Sequence, residues 1–259
     1  FSEYNTPINY CEYINEKISV YTKNNIIEII HNQIKNVEEY LPKKKKKDFR
    51  YIPKEKRKST IFNYLKSFGL SKQDNDLIVS WLVSQFFNED MNTKPIMLIQ
   101  GPPGSGKSTL ANFLLRIVES RESTITAYTG KDDALIASLQ KHKVLVLDNL
   151  EFITGKTVDL INAVVTGAAI ELRTLYTTNE VALIKPKSSL VITSAHGSFD
   201  NDGAFQSRLI KIWLSTRNSF GVESLFWNIF NKYYNDLVSD ILDICSVLIK
   251  LRKKETKKS

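Results

Sequence analysis

The chain has 259 residues, 42% of them apolar, enough for a sizeable core in one or two domains. Its two cysteines, Cys11 and Cys245, match no metal spacing, and no apolar run reaches the roughly 18 residues of a membrane span. The composition therefore excludes a disulfide scaffold and a helical membrane protein, and it predicts a reduced, cytoplasmic setting without a membrane partner. No signal peptide is visible, and a start at Phe1 rather than Met predicts a piece excised from a longer protein.

The net charge is +8, and its placement matters more than its size. Residues 43–58 (KKKKKDFRYIPKEKRK) hold ten basic and two acidic side chains, and the tail 250–259 holds six and one. The body between them is mildly acidic. Such basic runs suit a phosphate backbone or, equally, an exposed linker and a frayed tail. The expected division is a 1–58 region ending in that linker, a 59–218 core with leading helices, and a 219–259 helical segment with a basic tail.

In chain order, Lys17–Val20 and Ile26–Ile30 are expected as short strands of a small β-rich element. A helix is expected from Ser59 to Leu70, capped by Ser59, with Ile61, Phe62, Leu65 and Phe68 on one face and Gly69 ending it. A second helix is expected over about 74–87. Then come the apolar run Ile96–Ile99 and a helix over 109–118, apolar at 110, 113, 114, 117 and 118. Further on, Thr124–Tyr128 reads as a strand, Asp132–Leu139 as a helix, Lys143–Asp148 as a buried strand and Thr157–Val165 as a helix. Ile170–Ile184 reads as a β-hairpin and Ser189–Thr193 as another buried strand. Continuous apolar strands alternating with helices predict an α/β fold, a parallel sheet with helices on both faces. Apolar residues recur at helical spacing from Val222 to Leu251, as one helix or as two split near Tyr234-Asn235. The aromatic residues there are expected in the core.

Between the first apolar run and its helix lies Gly101-Pro102-Pro103-Gly104-Ser105-Gly106-Lys107-Ser108-Thr109. This is G-x-x-x-x-G-K-[ST] with a strand before it and a helix after it, a phosphate-binding loop. Its glycines let backbone N–H groups turn around phosphate oxygens, and the helix N-terminus adds a positive dipole end. Lys107 is expected on the β- and γ-phosphates of ATP and the Ser108 hydroxyl on Mg²⁺. Asp148 ends the strand Val144–Leu147, where a carboxylate binds Mg²⁺ directly or through its water. Hydrolysis also needs a group to orient and deprotonate water. Many ATPases place Glu directly after that Asp. Here Asn149 follows, able to orient water but not to take its proton, and Glu151 is the candidate base. Ligands sit at the carboxyl ends of parallel strands, so Thr193 or Ser194, the latter taken as the catalytic sensor, is placed near the γ-phosphate. His196 is more ordinary, an unliganded loop histidine.

The order GPPGSGKST, VLVLDN, VVTGAAIELRTLYTTNEVALIKP, LVITSA and FQSRLIKIWL resembles the superfamily 3 helicases of the AAA+ class. It is most similar to the primase-helicase ATPases of phages, plasmids and integrated mobile elements, and related to those of small DNA viruses. In these a Trp-containing helix such as LIVSWLVSQFF precedes the phosphate loop. The resemblance covers about residues 70–215. It implies an AAA+ P-loop core and an arginine finger at Arg208, in Gln206-Ser207-Arg208-Leu209, reaching the neighbouring subunit's γ-phosphate. It also implies a homo-oligomeric ring, usually a hexamer. The hairpin Ile170–Pro186 would grip single-stranded DNA in the channel, with Tyr176 stacking on a base and Arg173 and Lys185 on phosphate. Leu175-Tyr176 stands where the viral proteins have Lys-His, and Ala195 where their third motif ends in Asn. The reading is a DNA-dependent ATPase of the helicase type, the replicative motor of a virus or mobile element. The alternative is an initiator or helicase loader that uses ATP as an assembly switch without unwinding. A P-loop kinase or protein remodeller is the third class, and no lid or acceptor site for a kinase is evident.

Overall fold

The computed structural model describes residues 49–87, 93–127, 130–150, 155–173, 181–186, 188–195, 203–216 and 223–255. The expected strands at Lys17–Val20 and Ile26–Ile30 lie outside these residues, as do Glu151, Tyr176 and His196. The chain divides into two compact units, Asn88–Ser219 and the combination of Phe1–Phe87 with Phe220–Ser259.

In the helical unit, α1 (Ile61–Leu65) continues into a 3₁₀ turn, Lys66–Phe68, and Gly69 ends it in the left-handed conformation at φ 64°. The cap is Thr60 rather than Ser59, its hydroxyl accepting from Asn63 N. Tyr64, not Phe62, joins Ile61, Leu65 and Phe68 in the core. α2 (Lys72–Ser84) starts at Ser71, whose hydroxyl caps Asp74 N. After the second unit comes the last helix, whose final described residue is Glu255 and which runs unbroken from Glu223. There is no break at Tyr234-Asn235, because the stripe Phe230, Tyr234, Leu237, Val238, Ile241, Leu242 and Cys245 is buried without interruption. Its aromatic residues form a core ladder: Tyr64 packs tilted or edge-on against Phe226 and Phe230, with centroids 5.3 and 6.2 Å apart. Among the described residues no helix is long and apolar enough to cross a membrane.

The exposed linker expected over 43–58 is corrected where the chain is described. Residues 50–61 form a strap along that last helix, held by carboxylates at helical spacing. Asp236 accepts from Lys58 N at 2.8 Å, and Asp240 accepts from Ile61 N at 3.0 Å. The Arg57 side chain is 2% exposed and donates to Asp240 at 3.1 Å and Asp243 at 2.6 Å. Tyr51 Oη donates to Asp243 at 2.8 Å. Burial outweighs these favourable contacts and raises the Asp243 carboxyl above its usual range.

The second unit is the α/β core. Its elements are β1 (Ile96–Gln100), α3 (Lys107–Val118), α4 (Asp132–Lys141), β2 (Val144–Leu147), α5 (Gly155–Val165), β3 (Ile170–Arg173), β4 (Val181–Ile184), β5 (Ser189–Ser194), α6 (Gly203–Gln206) and β6 (Leu209–Trp213); the last helix is α7. The parallel sheet has the order β2-β5-β1-β6. β1, β2 and β5 are buried along their whole length, which is why they read as continuous apolar runs. β6 is a strand that the sequence pattern does not announce. Its alternation, with Lys211 and Trp213 exposed, is the signal of a strand with one covered face. Conversely, Thr124–Ala127 is not a strand: it is largely exposed, and Ile125 is the one aliphatic side chain it offers beyond Ala127. β3 and β4 pair antiparallel, Ile170 opposite Ile184, giving the expected hairpin, whose tip lies outside the described residues.

Candidate functional site

The register places the site. Gln100, the last residue of β1, lies opposite Ser194 of β5 and Trp213 of β6, so three strand ends meet where the phosphate loop begins. The sheet switches direction of connection here, the place where parallel α/β sheets leave a crevice. The loop bends through Gly101, Gly104 and Gly106, all with positive φ. At Gly101 glycine is required by contact: a Cβ would lie 2.2 Å from Leu214 O. At Gly104 a Cβ would meet nothing within 4 Å, so that stretch of the loop faces open space. Gly106, at φ 92°, opens α3.

Lys107 is buried, yet among the described residues no carboxylate holds it. Its Nζ donates to Gly101 O at 2.8 Å and Pro102 O at 2.9 Å. Desolvation lowers its pKa, opposed by the charge of Asp148. A cation held by neutral carbonyls keeps its charge for an anion. Ser108 Oγ donates to Asp148 Oδ1 at 2.9 Å across the gap between α3 and the end of β2. Thr193 Oγ1 also donates to Asp148 Oδ1, at 2.6 Å, and accepts from Asn149 N at 2.7 Å. Asn149 itself is exposed with φ 54°, a left-handed conformation that asparagine tolerates. Thr193 and Ser194 are both wholly buried, and the hydroxyl that reaches the aspartate is that of Thr193. The sequence leaves both open, since only side-chain direction separates them.

The arrangement suits a magnesium nucleotide. Ser108 and Asp148 are hard oxygen donors already within hydrogen-bond distance, and Mg²⁺ takes one or two protein oxygens alongside phosphate and water. The buried Ser105 Oγ, within the loop, has no hydrogen-bond partner among the described residues. Among the described residues no cluster of three His, Cys, Asp or Glu side chains offers a separate metal cage.

Arg208 lies elsewhere. It directly precedes β6, and its carbonyl accepts from Ile96 N at 2.9 Å, at the start of β1. The phosphate loop leaves the other end of that strand, about 16 Å away at the usual rise per residue. The guanidinium donates to Asn162 Oδ1 at 3.2 Å and to Ala204 O, both neutral oxygens. Lys185 is exposed just after β4, and Arg173 ends β3. The tip residues between them are not described.

The fold has known counterparts. The C-terminal region of NrS-1, residues 305–718, aligns at a TM-score of 0.52 and 17% identity, over 77% of this chain and 51% of that one. This chain thus spans about half the length of that structure, and the likeness establishes a shared α/β P-loop fold. A JCV helicase aligns at a TM-score of 0.41 and 12% identity, over 90% of this chain and 64% of the helicase. An SCCmec type IV Cch helicase aligns at 0.41 and 16%, over 75% and 35%. No curated protein matches by sequence. The family of actinomycete integrative conjugative element replication proteins matches residues 62–258, most of the chain. With a phosphate loop at the end of a parallel sheet and a mobile-element replication family covering both units, the chain belongs to the integrative conjugative element replication proteins.

Proposed function

We propose that this chain is the ATP-hydrolysing motor of a replication helicase that moves on single-stranded DNA as a ring. The observation that carries the reading is the cluster of Lys107, Ser108 and Asp148 at one end of the sheet. Lys107 would exchange its two loop carbonyls for β- and γ-phosphate oxygens. The backbone N–H groups of 104–109 would cradle the phosphates. Ser108 and Asp148 would hold Mg²⁺, which supplies charge neutralisation on the transferred phosphoryl group. Thr193 fixes the carboxylate's orientation through Oδ1, and Asn149 or Glu151 would position the attacking water.

Arg208 supports the ring. It lies a strand's length from its own phosphate loop, so its guanidinium would serve the loop of a neighbouring copy. Its neutral partners leave its charge available. The hairpin carrying Arg173, Tyr176 and Lys185 would contact the strand in the channel, and the three-part division at 58 and 218 would give an arm, a motor and a C-terminal helical segment.

The test is ATP turnover with and without a single-stranded oligonucleotide, for wild type and Arg208→Ala, with mass followed in solution. The reading expects DNA-stimulated turnover, an oligomer, and loss of turnover on the order of 10³-fold in the variant with nucleotide binding retained. Turnover indifferent to both DNA and Arg208 overturns it. A second reading, an ATP-controlled loader or initiator that does not unwind, is favoured by Asn149, whose amide takes no proton. It expects nucleotide-dependent assembly with slow turnover and no strand displacement.

A further inference from the structure

The strap and α7 border a second basic site, open to solvent and wholly within the helical unit. A cavity of about 400 Å³ lies between them, lined by Arg50, Lys56, Lys58 and Lys232 together with Tyr51 and Tyr233. The volume lies in the range of small-molecule sites and admits a nucleotide unit. Asp236 also borders it, but its Oδ2 already accepts from Lys58 N at 2.8 Å and Ser59 N at 3.3 Å. Asp240 and Asp243 are taken up by Arg57. The other four cations form no ion pair among the described residues, and Arg50, Lys56, Lys58 and Lys232 are exposed. Lys232 Nζ stands 5.3 Å from the Tyr233 ring centroid, so charge and an aromatic surface adjoin.

We propose that this cavity binds single-stranded nucleic acid: phosphates on the lysines, and a base against Tyr233. The strap explains why the site exists. Arg57 is buried and paired, which pins the backbone on both sides of it to α7. Arg50, Lys56 and Lys58 therefore point their charge from a fixed edge rather than from a solvated linker. Four cations on a fixed backbone outnumber the one carboxylate at the site, Asp236, and form a phosphate-backbone footprint, and an aromatic face tolerates any base. The site rests on the reading of nucleic acid as partner, but not on the phosphate loop or on motor action.

The test is binding of a fluorescent mixed-sequence single strand to the full chain without nucleotide, over a salt series. The variant is K56Q/K58Q/K232Q, and the control K131Q/K141Q/K211Q removes the same charge from exposed positions of the α/β unit. The site expects affinity to fall on the order of tenfold in the first variant, and the salt slope to drop by about 2, at about 0.7 for each phosphate no longer neutralised. Tyr233→Leu should weaken binding with the slope unchanged. Equal loss in the control, or no loss in the first variant, overturns the proposal while leaving the motor reading intact. If the wild type binds no oligonucleotide and its turnover ignores DNA, both fall together; if turnover is DNA-stimulated while the first variant responds like wild type, only this site falls. Unchanged circular dichroism in the first variant separates weakened binding from a failure to fold.

Discussion

Lys107 and Arg57 are both buried cations, and they are solved in opposite ways. Arg57 faces two carboxylates, at 3.1 and 2.6 Å, and its charge is consumed in fastening the strap to α7. Lys107 faces two carbonyls, at 2.8 and 2.9 Å, and its charge is only parked. Arg208 resembles Lys107, bonded to Asn162 Oδ1 and Ala204 O. The lesson is that the partner's charge, not burial, separates a structural cation from one available to phosphate. A carboxylate cannot be displaced by phosphate without leaving a buried charge unpaired, whereas a carbonyl loses only a neutral bond.

The largest effect should come from Lys107→Met. Turnover should fall on the order of 10³-fold, while the thermal midpoint moves little, as read by an ATPase assay alongside a melt. A collapse in stability instead would make Lys107 a structural cation and break the comparison. Arg57→Met should do the reverse. Two partly buried carboxylates lose their counter-charge, at about 3 kcal/mol, visible as a lower urea midpoint for the helical unit. Turnover per folded molecule should be unchanged.

Gly101→Ala comes next. Its Cβ would sit 2.2 Å from a backbone oxygen that cannot rotate away, so destabilisation of about 3 kcal/mol is expected in denaturant unfolding. Thr193→Val removes the hydroxyl that joins Asp148 to Asn149 N. The cost should be about 2 kcal/mol, and half-saturation by Mg²⁺ in nucleotide binding should move to higher concentration.

The smallest effect is in pH. Lys107 has a folded pKa below its ordinary 10.5, with desolvation the leading cause. The unfolded chain therefore holds that proton more tightly in the window between the lowered value and 10.5. Over that window the Lys107 contribution to stability rises with pH. Asp243 has the opposite sign in its own range. Its carboxyl is raised above 3.8, so its contribution falls as pH climbs from there through the raised value. Urea midpoints across pH for wild type, Lys107→Met and Asp243→Asn should show each slope vanish with its own residue.

The phosphate loop was legible because everything it needs is local. Glycine conformations, the lysine spacing and the flanking apolar strand all lie within 14 residues, and each acts through the backbone or its nearest turn. The buried strands were legible for a related reason: strands covered on both faces read as unbroken apolar runs. β6 was missed because a five-residue alternation is a weak signal, and Thr124–Ala127 was over-read because two threonines around one isoleucine satisfy β-propensity without offering a face to bury.

What the sequence determined by itself is the glycine-rich loop with its flanking strand and helix, and the α/β class, since propensity, period and motif act over a few residues. Only the tertiary structure decided that Thr193 rather than Ser194 meets Asp148, 45 residues away. The same holds for Arg208, set at the far end of the strand that feeds the loop, and for the strap laid on a helix some 180 residues later. Each of these depends on which way a side chain points after distant segments have packed. A local pattern carries no record of that direction, because the energy that selects it comes from partners brought together only by the fold.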